Sequence, residues 1–177
     1  MNVAITGHTK GIGLAFYNYF LEKEYTCYGF SRSNGYDISN VEDRNKILSN
    51  ILDFDIFVNN AYNNFDDSQL NILKLVYENW KNKDKIIINI SSRVTDFENT
   101  DDMLKIYAKT KQDLDLFCKG KINSPWILNL KPGLTDTQRV RTVQDKPRID
   151  VEHVIKVADF ALLNKDIFKV TSLTFGL

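Results

Sequence analysis

The chain has 177 residues, 43% of them hydrophobic, and 23 acidic side chains balance 23 basic ones. That length and apolar content fit one domain with a single core. The neutral balance excludes a strong field for recruiting nucleic acid or an anionic membrane.

Residues 3–6 form a short apolar run that ends in a glycine-rich turn, and residues 12–21 carry apolar and aromatic side chains at helical spacing. Strand, loop and helix are predicted in that order. Residues 25–30 predict a second strand, 41–51 a helix begun in the Ser39/Asn40 cap region, and 55–58 a third strand. A helix over 68–82, a strand over 85–90, a helix over 103–119, a strand over 126–130, a helix over 151–163 and a strand over 168–175 complete the series. Each parallel pair needs a right-handed crossover, so the alternation predicts a doubly wound α/β fold, a parallel sheet with helices on both faces. Between the second strand and Asp37 only about five residues remain, too few for a crossover helix. A strand over 36–38 is therefore vestigial or absent, and about six strands are expected.

No repeat, low-complexity tract or linker divides residues 1–177, so a single domain is expected. The polar loop 137–148, interrupted by Pro147, is the one expected to move. No apolar run is long enough to span a membrane. Cys27 and Cys118 match no metal-ligand spacing, and the N-terminus lacks the layout of a secretory signal, so a reducing, cytoplasmic setting is expected. His8 and His153 are distant from each other with no third ligand, and no metal is assigned.

Three of the eight glycines fall in the segment Thr6-Gly7-His8-Thr9-Lys10-Gly11-Ile12-Gly13, between a predicted strand and a predicted helix. Gly7 serves a sharp turn, Gly11 a close approach of backbone to a pyrophosphate, and Gly13 tight helix–strand packing. The helix N-terminus favours negative charge. The plain alternative is a tight turn without a ligand.

The GxxxGxG spacing resembles the short-chain dehydrogenase/reductase family, and four further motifs follow in that family's order. Asn59-Asn60-Ala61-Tyr62 resembles its NNAG, Ile90-Ser91-Ser92 ends a strand at the place of its catalytic serine, Tyr107-Ala108-Lys109-Thr110-Lys111 matches YxxxK, and Pro132-Gly133-Leu134-Thr135-Asp136-Thr137 resembles PGxxxT. The resemblance spans residue 2 to about residue 160. It implies an oxidoreductase that moves a hydride between a nicotinamide and a small carbonyl or alcohol substrate, with Ser92, Tyr107 and Lys111 as catalytic residues. Tyr107 and Lys111, four apart on a predicted helix, project from one face. A nearby ammonium stabilises a phenolate, which fits Tyr107 to general acid/base work. The resemblance also implies that Lys111 holds the nicotinamide ribose and Ser92 the substrate oxygen.

The cofactor contacts expected on these grounds are Gly7, Thr9, Lys10, Gly11, Ile12, Gly13, Asp37, Ile38, Asn59, Asn60, Ala61, Tyr107, Lys111, Pro132, Gly133, Thr135 and Thr137, together with Ser31, Arg32 and Ser33 after the second strand. An acid for the ribose 2′-hydroxyl is missing from that last triplet, and a guanidinium suited to a 2′-phosphate is present. NADP(H) is preferred, with NAD(H) left open.

The sequence departs from the family pattern in several places. The chain is short, the helix that would directly follow the second strand has no room, and the interval from Asn60 to Ser91 is compressed. Tyr62 replaces the glycine of NNAG, and the chain ends Phe175-Gly176-Leu177 without the usual Gly-Gly. The family's catalytic asparagine has three candidate occupants, Asn63, Asn64 and Asn71. A homo-oligomer, a dimer first, is implied. Two other functions stay open: a catalytically silent NADP(H)-binding sensor or scaffold, since fold alone does not establish activity, and a nucleotide-sugar epimerase or dehydratase.

Overall fold

The computed structural model describes residues 1–63, 66–98, 101–138 and 146–177. Its elements run β1 (Asn2–Thr6), α1 (Gly11–Glu22), β2 (Thr26–Phe30), α2 (Val41–Ile51), β3 (Ile56–Asn59), α3 (Ser68–Asn79), β4 (Ile86–Ile90), α4 (Asp102–Cys118), β5 (Trp126–Pro132), α5 (Val151–Leu163) and β6 (Ser172–Phe175). The strands form one sheet in the order β2-β1-β3-β4-β5-β6, and every neighbouring pair is parallel. The expected doubly wound α/β sheet of about six strands is the one observed.

Side chains alternate across the strands, as a pleated backbone requires, and feed two cores. Ala4, Phe57, Ile87 and Ile127 face one layer, which α2, α3 and α4 cover with Ile47, Ile51, Leu73, Val76 and Leu114. Val3, Ile5, Val58, Ile88 and Leu128 face the other, covered by Phe16 and Phe20 of α1 and by Val154, Ala158 and Ala161 of α5. Nearly continuous apolar strands such as Ile86–Ile90 are those expected of a parallel sheet buried on both faces.

Residues 36–38 form no strand, as their spacing predicts. Residues 32–34 make a 3-10 turn, and α2 begins where the Asn40 side chain accepts the backbone N–H groups of Glu42 and Asp43. Two expected elements are shorter in the structure. Helix α3 stops at Asn79 rather than 82, and the last strand begins at Ser172 rather than 168. There the backbone N–H groups of Ile167 and Phe168 return to the carbonyl of Asn164, so that stretch makes a turn after α5 instead of joining the sheet. No helix among the described residues is long and apolar enough to cross a membrane.

Strand β1 pairs with β2 on one side and β3 on the other, and the helices that follow β1 and β3 lie on opposite faces. The carboxyl ends of β1 and β3 therefore open a crevice at the point where the strand order reverses, the place where such sheets bind ligands.

Candidate active site

The glycine loop fills the β1 side of that crevice. Gly7 and Gly11 have left-handed backbones, φ 70° and 55°, and the Gly7 N–H donates to the Phe30 carbonyl at 2.7 Å. At Gly13 a Cβ would stand 2.2 Å from the Gly7 carbonyl oxygen and 2.5 Å from Asn60 Nδ2, so only a bare backbone lets α1 start this close to the loop. Lys10, the N-cap of α1, gives no side-chain cap, and the first turn holds no acid. The first amides of α1 thus lack the capping oxygen that Asn40 gives α2 and Asp101 gives α4. A helix start with bare amides beside a glycine cradle fits the pyrophosphate of a dinucleotide. Thr9 and Lys10 are exposed, and Ile12 packs against the α1/α5 core. His8 turns back so that its ring occupies the space over Gly29, where a Cβ would meet it at 2.1 Å. Burial lowers the imidazole below its ordinary value, with the Phe30 backbone opposing.

After β2, Ser31 caps the 3-10 turn. Its backbone N–H donates to Asn34 Oδ1 at 2.8 Å, and its hydroxyl meets Ser33 Oγ at 2.8 Å. Arg32 is exposed, and neither it nor Lys10 forms an ion pair among the described residues. Asp37 Oδ1 accepts the Ser39 N–H at 2.9 Å, while Ile38 is buried. Asn63 Nδ2 donates to Ser39 Oγ at 2.6 Å and to Asp66 at 3.0 Å, which ties the segment after β2 to the loop after β3.

The Asn59-Asn60-Ala61-Tyr62 segment divides its roles. Asn60 Nδ2 donates to the carbonyls of Thr6 and Gly7, and the N–H groups of Asn60 and Ala61 both donate to the Thr6 hydroxyl at 3.0 Å. These bonds brace the glycine loop. The Asn59 side chain does not face the crevice. It is fully buried under the helix layer, with its amide donating to the Gln69 carbonyl at 3.1 Å and to Asn89 Oδ1 at 2.8 Å. Strand alternation turns this side chain, expected among the cofactor contacts, to the covered face, where it braces the sheet end. Tyr62 packs edge-on against Tyr107, with centroids 5.3 Å apart, and Lys111 Nζ lies 4.7 Å from its ring centre.

On α4, Tyr107 and Lys111 share the face turned to the sheet end, with Nζ 5.7 Å from the Tyr107 ring centre. Lys111 is only 3% exposed, and its ammonium donates to Gln69 Oε1 at 2.7 Å and to the Ile90 carbonyl at 3.0 Å. Gln69 in turn donates from Nε2 to the carbonyls of Asn59 and Ile90, both at 2.9 Å. The helix residue that meets the lysine is thus Gln69. Asn63 sits in the loop contacts described above, Asn71 is exposed, and Asn64 lies outside the described residues. Sequence reading missed Gln69 because nothing in a local pattern marks a glutamine at the start of α3. Tyr62 was visible only as a departure from the motif. Ser92 is half-buried at the end of β4, and its hydroxyl accepts the Val94 N–H at 3.2 Å. Its neighbour Ser91 is buried, with an Oγ that has no partner among the described residues.

The Pro132–Thr137 segment approaches from β5. Thr135 Oγ1 donates to the Gly133 carbonyl at 3.0 Å, and Thr137 Cγ2 lies 3.1 Å from where a Gly11 Cβ would be. Thr137 therefore crosses to the glycine loop, bringing the first and last motifs together. Backbone bonds between Ile149 and both Leu134 and Asp136 close the base of the loop expected to move, whose residues 139–145 lie outside the description.

A polar row supports this end of the sheet. Asn59, Asn89 and Asn129 are in register on β3, β4 and β5, two residues beyond the apolar row Phe57, Ile87 and Ile127. Amide bonds of 2.8 and 2.7 Å link them, and Asn129 continues to Asp115 Oδ1 at 2.8 Å. Asp115 also accepts from Thr95 and pairs with Lys131. No group of metal-binding side chains occurs among the described residues.

Neither a protein-family model nor a curated protein matches the sequence. Among solved structures, the chain is similar to a short-chain dehydrogenase from Burkholderia cenocepacia J2315 in complex with NADP, with a TM-score of 0.82 and 20% identity over 99% of this chain and 88% of that one. It is similar to the 3-alpha-hydroxysteroid dehydrogenase of Pseudomonas sp. B-0831 complexed with NADH, with a TM-score of 0.79 and 16% identity over 99% and 94% of the two chains. A serine dehydrogenase complexed with NADP+ is also similar, with a TM-score of 0.76 and 16% identity over 99% and 94%. The chain has the fold of the short-chain dehydrogenases/reductases, as its motifs imply.

Proposed function

We propose that this chain is an NADP(H)-dependent oxidoreductase of the short-chain dehydrogenase/reductase type that acts on a small carbonyl or alcohol. The observation that carries this reading is the buried Lys111 ammonium, held one helical turn from Tyr107 at the carboxyl end of β4, across the crevice from an uncapped glycine-loop helix. When bound, the nicotinamide supplies or accepts the hydride. Tyr107 gives a proton to the carbonyl oxygen in reduction and takes it back in oxidation. The Lys111 charge stabilises the phenolate left behind, and its ammonium holds the nicotinamide ribose. Ser92, with an O–H still to donate, holds the substrate oxygen in place.

Arg32 and Lys10, both exposed and without acidic partners among the described residues, support the 2′-phosphate of NADP(H) as the preferred ligand. The two cysteines are free, in keeping with a cytoplasmic location. Exposed Phe160, Leu163 and Ile167 on and just after α5 support a homo-oligomer, a dimer first.

The test follows NADPH consumption over a panel of small aldehydes, ketones and quinones, with Tyr107→Phe as the control that keeps the ring. Turnover that falls at least about a hundredfold in the variant, with cofactor binding retained, is expected. Titration should show NADPH binding more tightly than NADH. One observation favours the second reading, a sensor without turnover: the Tyr62 ring stands against both Tyr107 and Lys111. Cofactor binding with no turnover across the panel would decide for it.

A further inference from the structure

Asp115 lies on α4 one turn beyond Lys111, so that Tyr107, Lys111 and Asp115 follow one another along one side of the helix. Its side chain is only 19% exposed, and both carboxylate oxygens are engaged. Oδ1 accepts the Asn129 amide of β5 at 2.8 Å. Oδ2 accepts the Thr95 hydroxyl at 2.8 Å and faces the Lys131 ammonium at 3.3 Å. Lys131 is in turn paired with Asp96.

These partners belong to the elements that carry the other groups of the proposed site. Asn129 and Lys131 lie on β5, just ahead of the Pro132–Thr137 segment expected to meet the cofactor. Thr95 and Asp96 belong to the 3-10 turn Arg93–Asp96, whose cap is Ser92. The Thr95 hydroxyl has one proton and three acceptors in reach: the Ser92 carbonyl at 3.0 Å, Asp96 Oδ1 at 3.4 Å and Asp115 Oδ2 at 2.8 Å. The bond to Asp115 is the shortest, and charge strengthens it. The Ser92 carbonyl keeps the Thr95 backbone N–H as its donor, at 3.3 Å. The hydroxyl proton therefore goes to Asp115 and ties the serine's turn to the helix of Tyr107 and Lys111. Ser92 Oγ accepts the Val94 N–H at 3.2 Å, so the serine hydroxyl moves with that turn.

We propose that Asp115 is a positioning residue, which acts through Thr95 to set the Ser92 hydroxyl and the Tyr107 phenol at the separation the reaction requires. This rests on the oxidoreductase reading above. A displacement of about 1 Å between groups that must act on one atom costs up to about a hundredfold in rate. The experiment measures single-turnover oxidation of saturating NADPH, so that product release does not mask the chemical step. The probe is whichever small aldehyde, ketone or quinone of the panel the wild type reduces fastest. Wild type, Thr95→Val, Thr95→Ser, Asp115→Asn and the Thr95→Val/Asp115→Asn double variant are compared at a temperature where each is folded. Melting temperature and NADPH affinity are recorded for each.

Thr95→Val, which keeps the shape and loses the hydroxyl, should lower the single-turnover rate at least about tenfold while NADPH affinity stays within about twofold. Thr95→Ser keeps the hydroxyl and should hold the rate within about threefold of the wild type. The double variant should be no slower than the slower single variant, because both changes remove one bond. A valine variant that melts lower yet keeps its rate overturns the proposal, since Asp115 would then only stabilise the fold. Equal losses in the valine and serine variants, or a loss that follows NADPH affinity, overturn it as well. So do losses that multiply in the double variant. In each of these cases the wild type still turns over, and the oxidoreductase reading stands. A wild type that oxidises NADPH with no carbonyl of the panel removes that reading and the positioning role together.

Discussion

At Gly13 the closeness of α1 to the glycine loop comes down to the absence of one methyl group. A Cβ there would meet the Gly7 carbonyl oxygen at 2.2 Å, and that oxygen belongs to backbone already held by the Asn60 amide. Gly13→Ala must push the loop and the helix start apart, an overpacking cost of about 1–3 kcal/mol. NADPH affinity should fall with it, because the amides proposed to hold the pyrophosphate move as well. Urea denaturation and fluorescence titration check the two effects, and an alanine variant with unchanged affinity would remove the close approach from the explanation of binding. The glycines were legible from their spacing because turn chemistry is local. Gln69 was not legible, because its value lies in meeting Lys111, 42 residues away in sequence.

Among the elements, the asparagine row on β3, β4 and β5 is the least expected feature. Apolar side chains fill this face at Phe57, Ile87 and Ile127, and two residues further along three amides replace them, all nearly or wholly buried. Buried amides are stable only when paired. Asn89 stands at the centre, accepting from Asn59 and donating to Asn129. Asn89→Ala strands a donor on one side and an acceptor on the other, and should cost about 2–4 kcal/mol of unfolding free energy. Lys111 should also be held less firmly, since Asn59 grips the backbone carbonyl of Gln69. A loss well under 1 kcal/mol in chemical denaturation would mean that water replaces the missing amide. The strands themselves were readable from apolar runs. The row was not, since it exists only once the parallel register sets Asn59 beside Asn89 and Asn89 beside Asn129.

Across the whole molecule, one sheet separates two apolar layers that have no other common wall. Trp80 lies wholly buried in the α2/α3/α4 layer and Trp126 nearly so in the α1/α5 layer. Because strands β1 to β5 each contribute side chains to both layers, neither can melt and leave the other intact, and a domain of this size should unfold in a single transition. Trp80→Phe and Trp126→Phe each leave one reporter, and their thermal transitions should coincide with the loss of helical circular dichroism measured on the same variant. Two separated midpoints within one variant would show that the layers are independent. The sequence by itself determined the alternation of strands and helices, the missing strand over 36–38, the glycine loop and the motif order, because periodicity, caps and turns act over a few residues. Only the tertiary structure decided that Gln69 holds Lys111, that Asn59 faces the helix layer, that Tyr62 abuts Tyr107 and that Asp115 meets Thr95, Asn129 and Lys131. Those meetings depend on strand register and crossover, which bring together side chains that no local pattern relates.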